Sequence, residues 1–229
     1  MGFTATSCTD ITGHPFLRAI YESDGQTIIR NLTVAQMIEV LGKSVVEERQ
    51  YVRLKDDFFP KTAKATYFSD YENFSCVWEV PAAVRLLILK TPVGPKHYHV
   101  PFPKLIFRIN VKNGQVLDKY CYAMKKGTDN LFCYPFGNVA KGGSICMGNI
   151  SMKDMKSVSD FSDAFFSGVT NNDFFGTDGN GKVSVKFTQE QLLEKLSGLK
   201  SFPDSFLAEE KGLTLKGLCD KAPDMRSNY

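Results

Sequence analysis

A thiol delivered directly out of a glycine turn is the feature of this chain best placed to do chemistry. In the run Asn138-Val139-Ala140-Lys141-Gly142-Gly143-Ser144-Ile145-Cys146, an amide side chain and a thiol stand eight residues apart across the glycine pair. Cysteine is a nucleophile through its thiolate, and even an unactivated thiol keeps roughly a few per cent of that form near neutrality. Spacing alone decides little. Free cysteine is also among the most buried residue types, so Cys146 reads equally well as a small residue on a buried strand.

Three other constellations are weaker. His97 and His99 flank Tyr98 and point one way on an extended strand. Two imidazoles, however, leave a zinc ion short of its usual set of protein ligands, and nothing nearby in sequence completes one. The run Gly176-Thr177-Asp178-Gly179-Asn180-Gly181-Lys182 nearly spells a phosphate-binding loop, but Val183 stands where a Ser or Thr would meet magnesium. Residues 182–187 then alternate as a short strand, and without a helix N-terminus there are no aligned backbone donors for a phosphate. A Ser-His-Asp or Cys-His arrangement has only His14, His97 and His99 to draw on. The expectation is no metal and no cofactor.

Composition narrows the partners. The chain has 229 residues, enough to bury a core without metal or disulfide staples. Its 28 Lys and Arg against 25 Asp and Glu are scattered, which argues against nucleic acid as a partner. The longest apolar stretch, residues 80–89, is broken by Pro81 and Arg85. It falls far short of the roughly 20 residues of a spanning helix, and no basic, apolar-cored leader opens the sequence. A soluble, cytoplasmic protein that meets no membrane is therefore expected. The six cysteines, at 8, 76, 121, 133, 146 and 219, include no CxxC pair and read as reduced thiols.

The elements that must present residues 138 and 146 follow from local pattern. A small lobe over residues 1–65 reads as a hairpin, 16–22 and 26–31 about Ser23-Asp24-Gly25. A helix over 33–41 follows, with Thr33 and Gln36 as its capping box, and then a charged, irregular connection over 47–64. A larger domain is expected over 66–229. There, residues 66–80 alternate as strands, 84–90 form an apolar strand, and a loop rich in Pro, Gly and His leads to residue 100. Residues 104–110 and 115–124 form a hairpin about Asn113-Gly114, a strong two-residue turn signal. Two helices should pack on the sheet: 157–169, with Phe161 and Phe165 on one face, and 188–199, with Thr188 and Gln191 as its capping box.

Residues 135–146 resemble the active-site segment of ubiquitin-conjugating enzymes, where a His-Pro-Asn triplet precedes a glycine-containing turn and an Ile-Cys or similar pair. Asn138 matches the triplet's Asn and Cys146 the nucleophile. Val100-Pro101-Phe102-Pro103-Lys104-Leu105-Ile106-Phe107 resembles the proline-containing strand that leads to the triplet in that family. Over about residues 100–206 the chain also looks like the PRTRC system protein B family, prokaryotic relatives found beside ThiF-type activating enzymes and ubiquitin-like proteins. That likeness includes Phe136-Gly137-Asn138-Val139, Ile145-Cys146-Met147-Gly148 and Ala164-Phe165-Phe166-Ser167. Departures are Phe136 and Gly137 in place of His and Pro, a longer stretch between Phe107 and Asn138, and no Trp after Cys146, since Trp78 is the only one.

The resemblance implies an α+β fold: a UBC-like antiparallel meander with packed helices, extended by an extra hairpin and preceded by the small N-terminal lobe. It implies that Cys146 accepts a ubiquitin-like protein as a thioester from a ThiF-type activating enzyme and passes it to an amine on a protein target. Asn138 would then donate to the tetrahedral oxyanion or hold the loop that does; losing one such donor typically costs on the order of 10² to 10³ in rate. Asp154, Asp160, Asp163 and Asp173 are carboxylates able to orient an incoming lysine, with none preferred. Two rival readings stay open. One is a catalytically inert relative that binds a ubiquitin-like protein or scaffolds a plasmid-maintenance assembly. The other is a cysteine hydrolase, which needs a histidine beside Cys146.

Overall fold

The computed structural model describes residues 3–9, 15–23, 26–33, 35–36, 55, 57–148 and 150–221. The chain divides into two units, Met1–Arg53 and Leu54–Tyr229.

In the first unit β1 (Phe3–Thr9), β2 (Pro15–Ser23) and β3 (Gln26–Leu32) form an antiparallel sheet in that order. The hairpin read from the sequence is β2–β3, with Ser23 opposite Gln26; β1 was not foreseen. Thr33 and Gln36 exchange the reciprocal bonds of a capping box, at 3.0 Å from Thr33 N–H to Gln36 Oε1 and 3.2 Å from Gln36 N–H to Thr33 Oγ1. The body of the helix expected after them, the Asp24-Gly25 turn, His14 and the connection over 47–54 lie outside the described residues.

The second unit is built on a six-stranded antiparallel sheet. Its strands are β4 (Ala63–Asp70), β5 (Asn73–Val80), β8 (Lys104–Lys112), β9 (Gln115–Met124), β10 (Asn130–Cys133) and β12 (Glu209–Thr214), in the order β12-β10-β9-β8-β5-β4. A small second sheet holds β6 (Ala83–Thr91) between β7 (Gly94–Phe102), which is antiparallel to it, and β11 (Val169–Thr170), which is parallel. The helices are α1 (Ser159–Ser167), α2 (Gln189–Leu196) and α3 (Leu215–Asp220). This antiparallel sheet with few helices is the α+β class expected of a UBC-like fold. No helix among the described residues is long and apolar enough to cross a membrane.

Period-two alternation explains why the sheet is covered on both faces. Along β8, Leu105, Phe107, Ile109 and Val111 join the main core with Trp78, Phe161 and Phe165, while Ile106 joins a second cluster with Val77, Tyr122, Leu131 and Leu218 of α3. Arg108 is also buried on that second side, where its guanidinium donates to the carbonyls of Leu218 at 3.1 Å and Lys221 at 2.8 Å. The β8–β9 turn is the expected two-residue type, with Asn113 at φ 50° and Gly114 at φ 72°. Its N–H groups dock on the β4–β5 turn, Gly114 donating to the Glu72 carbonyl at 2.9 Å.

Two local expectations fail. The loop read between residues 91 and 100 is strand β7, paired with β6 from Thr91 opposite Gly94 to Ala83 opposite Phe102. The density of Pro, Gly and His there reads as a loop, but β7 is an edge strand, where the missing N–H of Pro95 and Pro101 is tolerated. Residues 182–187 are not a strand; only Val183 forms a bridge, to Leu207, and the alternation there records Val183, Val185 and Phe187 dipping singly into the core. The capping box of α2 is present as expected, with Gln191 N–H donating to Thr188 Oγ1 at 3.2 Å.

Candidate active site

Residues 138–146 fold into a tight hairpin. Val139 and Ile145 face each other as an antiparallel bridge and are buried, and the bonds on either side run from Ala140 N–H to the Ser144 carbonyl and from Cys146 N–H to the Asn138 carbonyl, both 2.8 Å. Gly142 and Gly143 close the turn at φ +88° and +85°, a region costly for any residue with a Cβ. Gly143 is required twice over, since a Cβ there would stand 2.4 Å from the Tyr122 ring, whose hydroxyl donates to the Gly142 carbonyl at 2.8 Å.

Neighbouring strands hold this hairpin from one side. On β9, Cys121 N–H donates to the Gly143 carbonyl and the Lys119 carbonyl accepts from Ile145 N–H, each at 2.9 Å. On β12, the Glu210 carboxylate accepts from Gly142 N–H at 3.3 Å and from the Cys133 thiol at 2.9 Å. Burial, reinforced by that carboxylate, pushes the Cys133 thiol up to about 12.

This scaffold leaves the Cys146 side chain exposed, whereas Cys76, Cys121 and Cys133 are buried and Cys219 is intermediate. Burial raises Cys76 to about 12 and Cys121 well above the ordinary thiol range, so these thiols are poor sources of thiolate at neutral pH. Among the cysteines whose side chains are described, Cys146 is the most exposed.

Asn138 lies opposite Cys146 and adopts a left-handed backbone at φ 63°, which Asn tolerates better than most residues. Its side-chain amide behaves as an additional peptide group at the edge of β11. Nδ2 donates to the Val169 carbonyl at 2.8 Å and Oδ1 accepts from Asn171 N–H at 3.1 Å, the pattern a neighbouring strand would present. Gly137 permits this approach: a Cβ there would fall 1.9 Å from the Asn171 carbonyl oxygen.

The four candidate carboxylates differ in their partners. Asp160 accepts from the N–H groups of Lys156 at 2.7 Å and Ser157 at 3.2 Å and from the Ser157 hydroxyl at 3.1 Å. The backbone bond from Lys156, ahead of the other contacts, lowers its pKa, so it ties down the turn that leads into α1. Asp173 accepts from Asn171 Nδ2 at 2.7 Å and is thus joined to the site through Asn171. Asp154 and Asp163 are exposed. His97 and His99 are exposed on β7, and among the described residues no group of three or more His, Cys, Asp or Glu side chains is placed to hold a metal.

Sequence reasoning missed Glu210, Asn171 and Lys182. Lys182, the lysine of the near phosphate loop, is 0 % exposed and points inward, donating from Nζ to the carbonyls of Phe136 and, at 2.6 Å, Val139. Its nitrogen stands 5.9 Å from the ring centres of both Tyr134 and Phe175. The sequence signal for it was the glycine density of the preceding turn, where Gly176, Gly179, Asn180 and Gly181 all take positive φ. Nothing local marked Glu210 or Asn171, which reach the site only through the sheet's long-range pairing.

No curated protein and no solved structure matches the chain. Residues 49–209, more than two thirds of its length and including both Asn138 and Cys146, match the sequence profile of prokaryotic E2 family D. With an antiparallel E2-like sheet beneath a hairpin that presents one exposed thiol, the chain belongs to prokaryotic E2 family D.

Proposed function

We propose that the Leu54–Tyr229 unit is a conjugating module in which Cys146 carries a ubiquitin-like protein as a thioester. The observation that carries this reading is the exposure of Cys146 at the end of a hairpin whose other cysteine neighbours are buried. The Cys146 thiolate attacks the activated C-terminal carbonyl of the ubiquitin-like protein, a C–S bond forms and the activating group leaves. An amine of the target then attacks the thioester, a C–N bond forms, the thiolate departs and the amine proton passes to solvent. In this reading a ThiF-type enzyme is the source of the activated protein, in a bacterial cytoplasmic setting like that of PRTRC system protein B.

Asn138 fits this scheme as the residue that holds the hairpin, because both ends of its amide are engaged, one by Val169 of β11 and the other by Asn171 just beyond it. The same observation favours a second reading: an E2-like protein that binds a ubiquitin-like partner or scaffolds an assembly without carrying it, since an amide so committed is less free to meet an oxyanion. The two separate cleanly. Incubated with its activating enzyme, ATP and the ubiquitin-like protein, the wild type should form an adduct cleaved by thiol reductant, and Cys146→Ser an adduct resistant to it. Binding that survives Cys146→Ala, with no adduct from the wild type, would establish the non-catalytic reading instead.

A further inference from the structure

We propose that Lys182 is a positioning residue of the candidate site: its side-chain nitrogen ties the carbonyls of Phe136 and Val139 together across Gly137 and Asn138, and so sets the Asn138 amide. The catalytic consequence rests on the conjugation reading; the positioning itself rests on geometry.

The need for such a group follows from the hairpin's hydrogen-bond pattern. Val139 occupies a bridge position whose bonds are made by its neighbours, 138 with 146 and 140 with 144, so its own carbonyl is left over. Val139 and Phe136 are both 0 % exposed, and among the described residues neither carbonyl accepts from a backbone N–H. Buried carbonyls without donors are strongly disfavoured. Lys182 satisfies the pair. A methionine would fill similar space without burying an amine, yet would leave both carbonyls bare.

From those carbonyls the restraint runs directly to the site. The segment they bracket contains Gly137, pressed against the Asn171 carbonyl, and Asn138, bonded to Val169 and Asn171. The turn that delivers Lys182 passes through Gly176, Gly179, Asn180 and Gly181 at φ 68°, 83°, 46° and 67°, a run of left-handed residues that directs position 182 into the core.

The clamp is also sensitive to protons. Facing Lys182 are the thiols of Cys121 on β9 and Cys133 on β10 and the rings of Tyr134 and Phe175, with Lys141 on the hairpin side beyond Gly181. No carboxylate bonds to its nitrogen among the described residues. Burial lowers its pKa to about 7. The neutral amine has two N–H groups for two carbonyls, whereas protonation adds a buried charge and a third N–H with no acceptor among the described residues.

The test is amide hydrogen exchange and NMR on wild type, Lys182→Met and Lys182→Gln. Lys182→Met should lower protection of the Cys146 and Asn171 amides by about tenfold or more while Cys76 and Ile109 stay within about twofold. Lys182→Gln, which keeps an NH₂ group, should recover part of it. In the wild type the Cys146 and Asn171 amide shifts should titrate near the Lys182 pKa of about 7, and that titration should vanish in Lys182→Met. Unchanged protection at both amides, or an equal fall across the sheet, overturns the proposal. If Lys182→Met fails to fold, the wild-type titration and Lys182→Gln decide. In thioester formation, Lys182→Met should lose about tenfold in kcat with KM within about twofold. A full rate alongside lost protection overturns the catalytic consequence. A wild type that never forms a thioester refutes the conjugation reading and leaves the exchange result to judge the positioning.

Discussion

The N–H of Cys146 donates to the carbonyl of Asn138 at 2.8 Å. One backbone bond thus fastens the thiol's residue to the residue whose side chain grips β11, so that any shift of β11 is passed through Asn138 to the position of Cys146.

Thiol reactivity gives the most direct check of this arrangement. Brief iodoacetamide treatment of the native protein near pH 7.5, followed by peptide mapping, should label Cys146 at least about tenfold faster than Cys76, Cys121 or Cys133, since burial both hides the latter and raises their pKa. Comparable labelling of the buried three would contradict the packing described.

Position 138 should invert the usual order of alanine and glycine. Both substitutions remove two side-chain hydrogen bonds, worth about 0.5–1.5 kcal/mol each, but only alanine must also strain to hold φ 63°. Asn138→Ala is therefore expected to be about 1 kcal/mol less stable than Asn138→Gly in urea unfolding. Equal stability would mean that the backbone there relaxes freely.

Gly137→Ala should be severe, because its Cβ would lie 1.9 Å from a backbone oxygen, which cannot swing aside as a flexible side chain would. Overpacking of this kind typically costs about 1–3 kcal/mol or more. The control is Gly168→Ala, where the nearest atom would be 3.4 Å away and the unfolding midpoint should barely change.

Stability should carry the signature of Lys182. Its pKa is depressed from 10.5 to about 7 in the folded state, so between those values the unfolded chain binds the extra proton. The contribution of this group therefore rises with pH across that window, by up to about 1.4 kcal/mol per unit, and is lost as pH falls to about 7. Cys76 and Cys133 act oppositely above their ordinary value of 9.0, because burial raises them. The clean measurement is thus the difference in urea stability between wild type and Lys182→Met from pH 7 to 8.5, which should widen in favour of the wild type. A flat difference would contradict a depressed Lys182.

What was legible in the sequence was local. Asn113-Gly114, the Thr188–Gln191 box and the glycine pair before Cys146 each declare a backbone conformation through their own chemistry, and each is found. β7 was misread because proline's missing N–H signals a break only in a central strand, and strand order is not written locally. Lys182 was hidden for a related reason: lysine is taken as a surface residue unless a partner is visible, and its partners here are backbone carbonyls more than forty residues away. β12 and α3 carry short patterns that acquire meaning only once β10 and the second face of the sheet exist to receive them.

The guanidinium of Arg108, fastened to the carbonyls of Leu218 and Lys221, has a practical corollary for anyone preparing the domain. Trimming the polypeptide to the family-matched stretch, 49–209, would discard α3 and most of β12. It would strip the roof from Val77, Ile106, Tyr122 and Leu131 and strand a buried cation, yielding a sticky, misassembled fragment instead of a minimal domain.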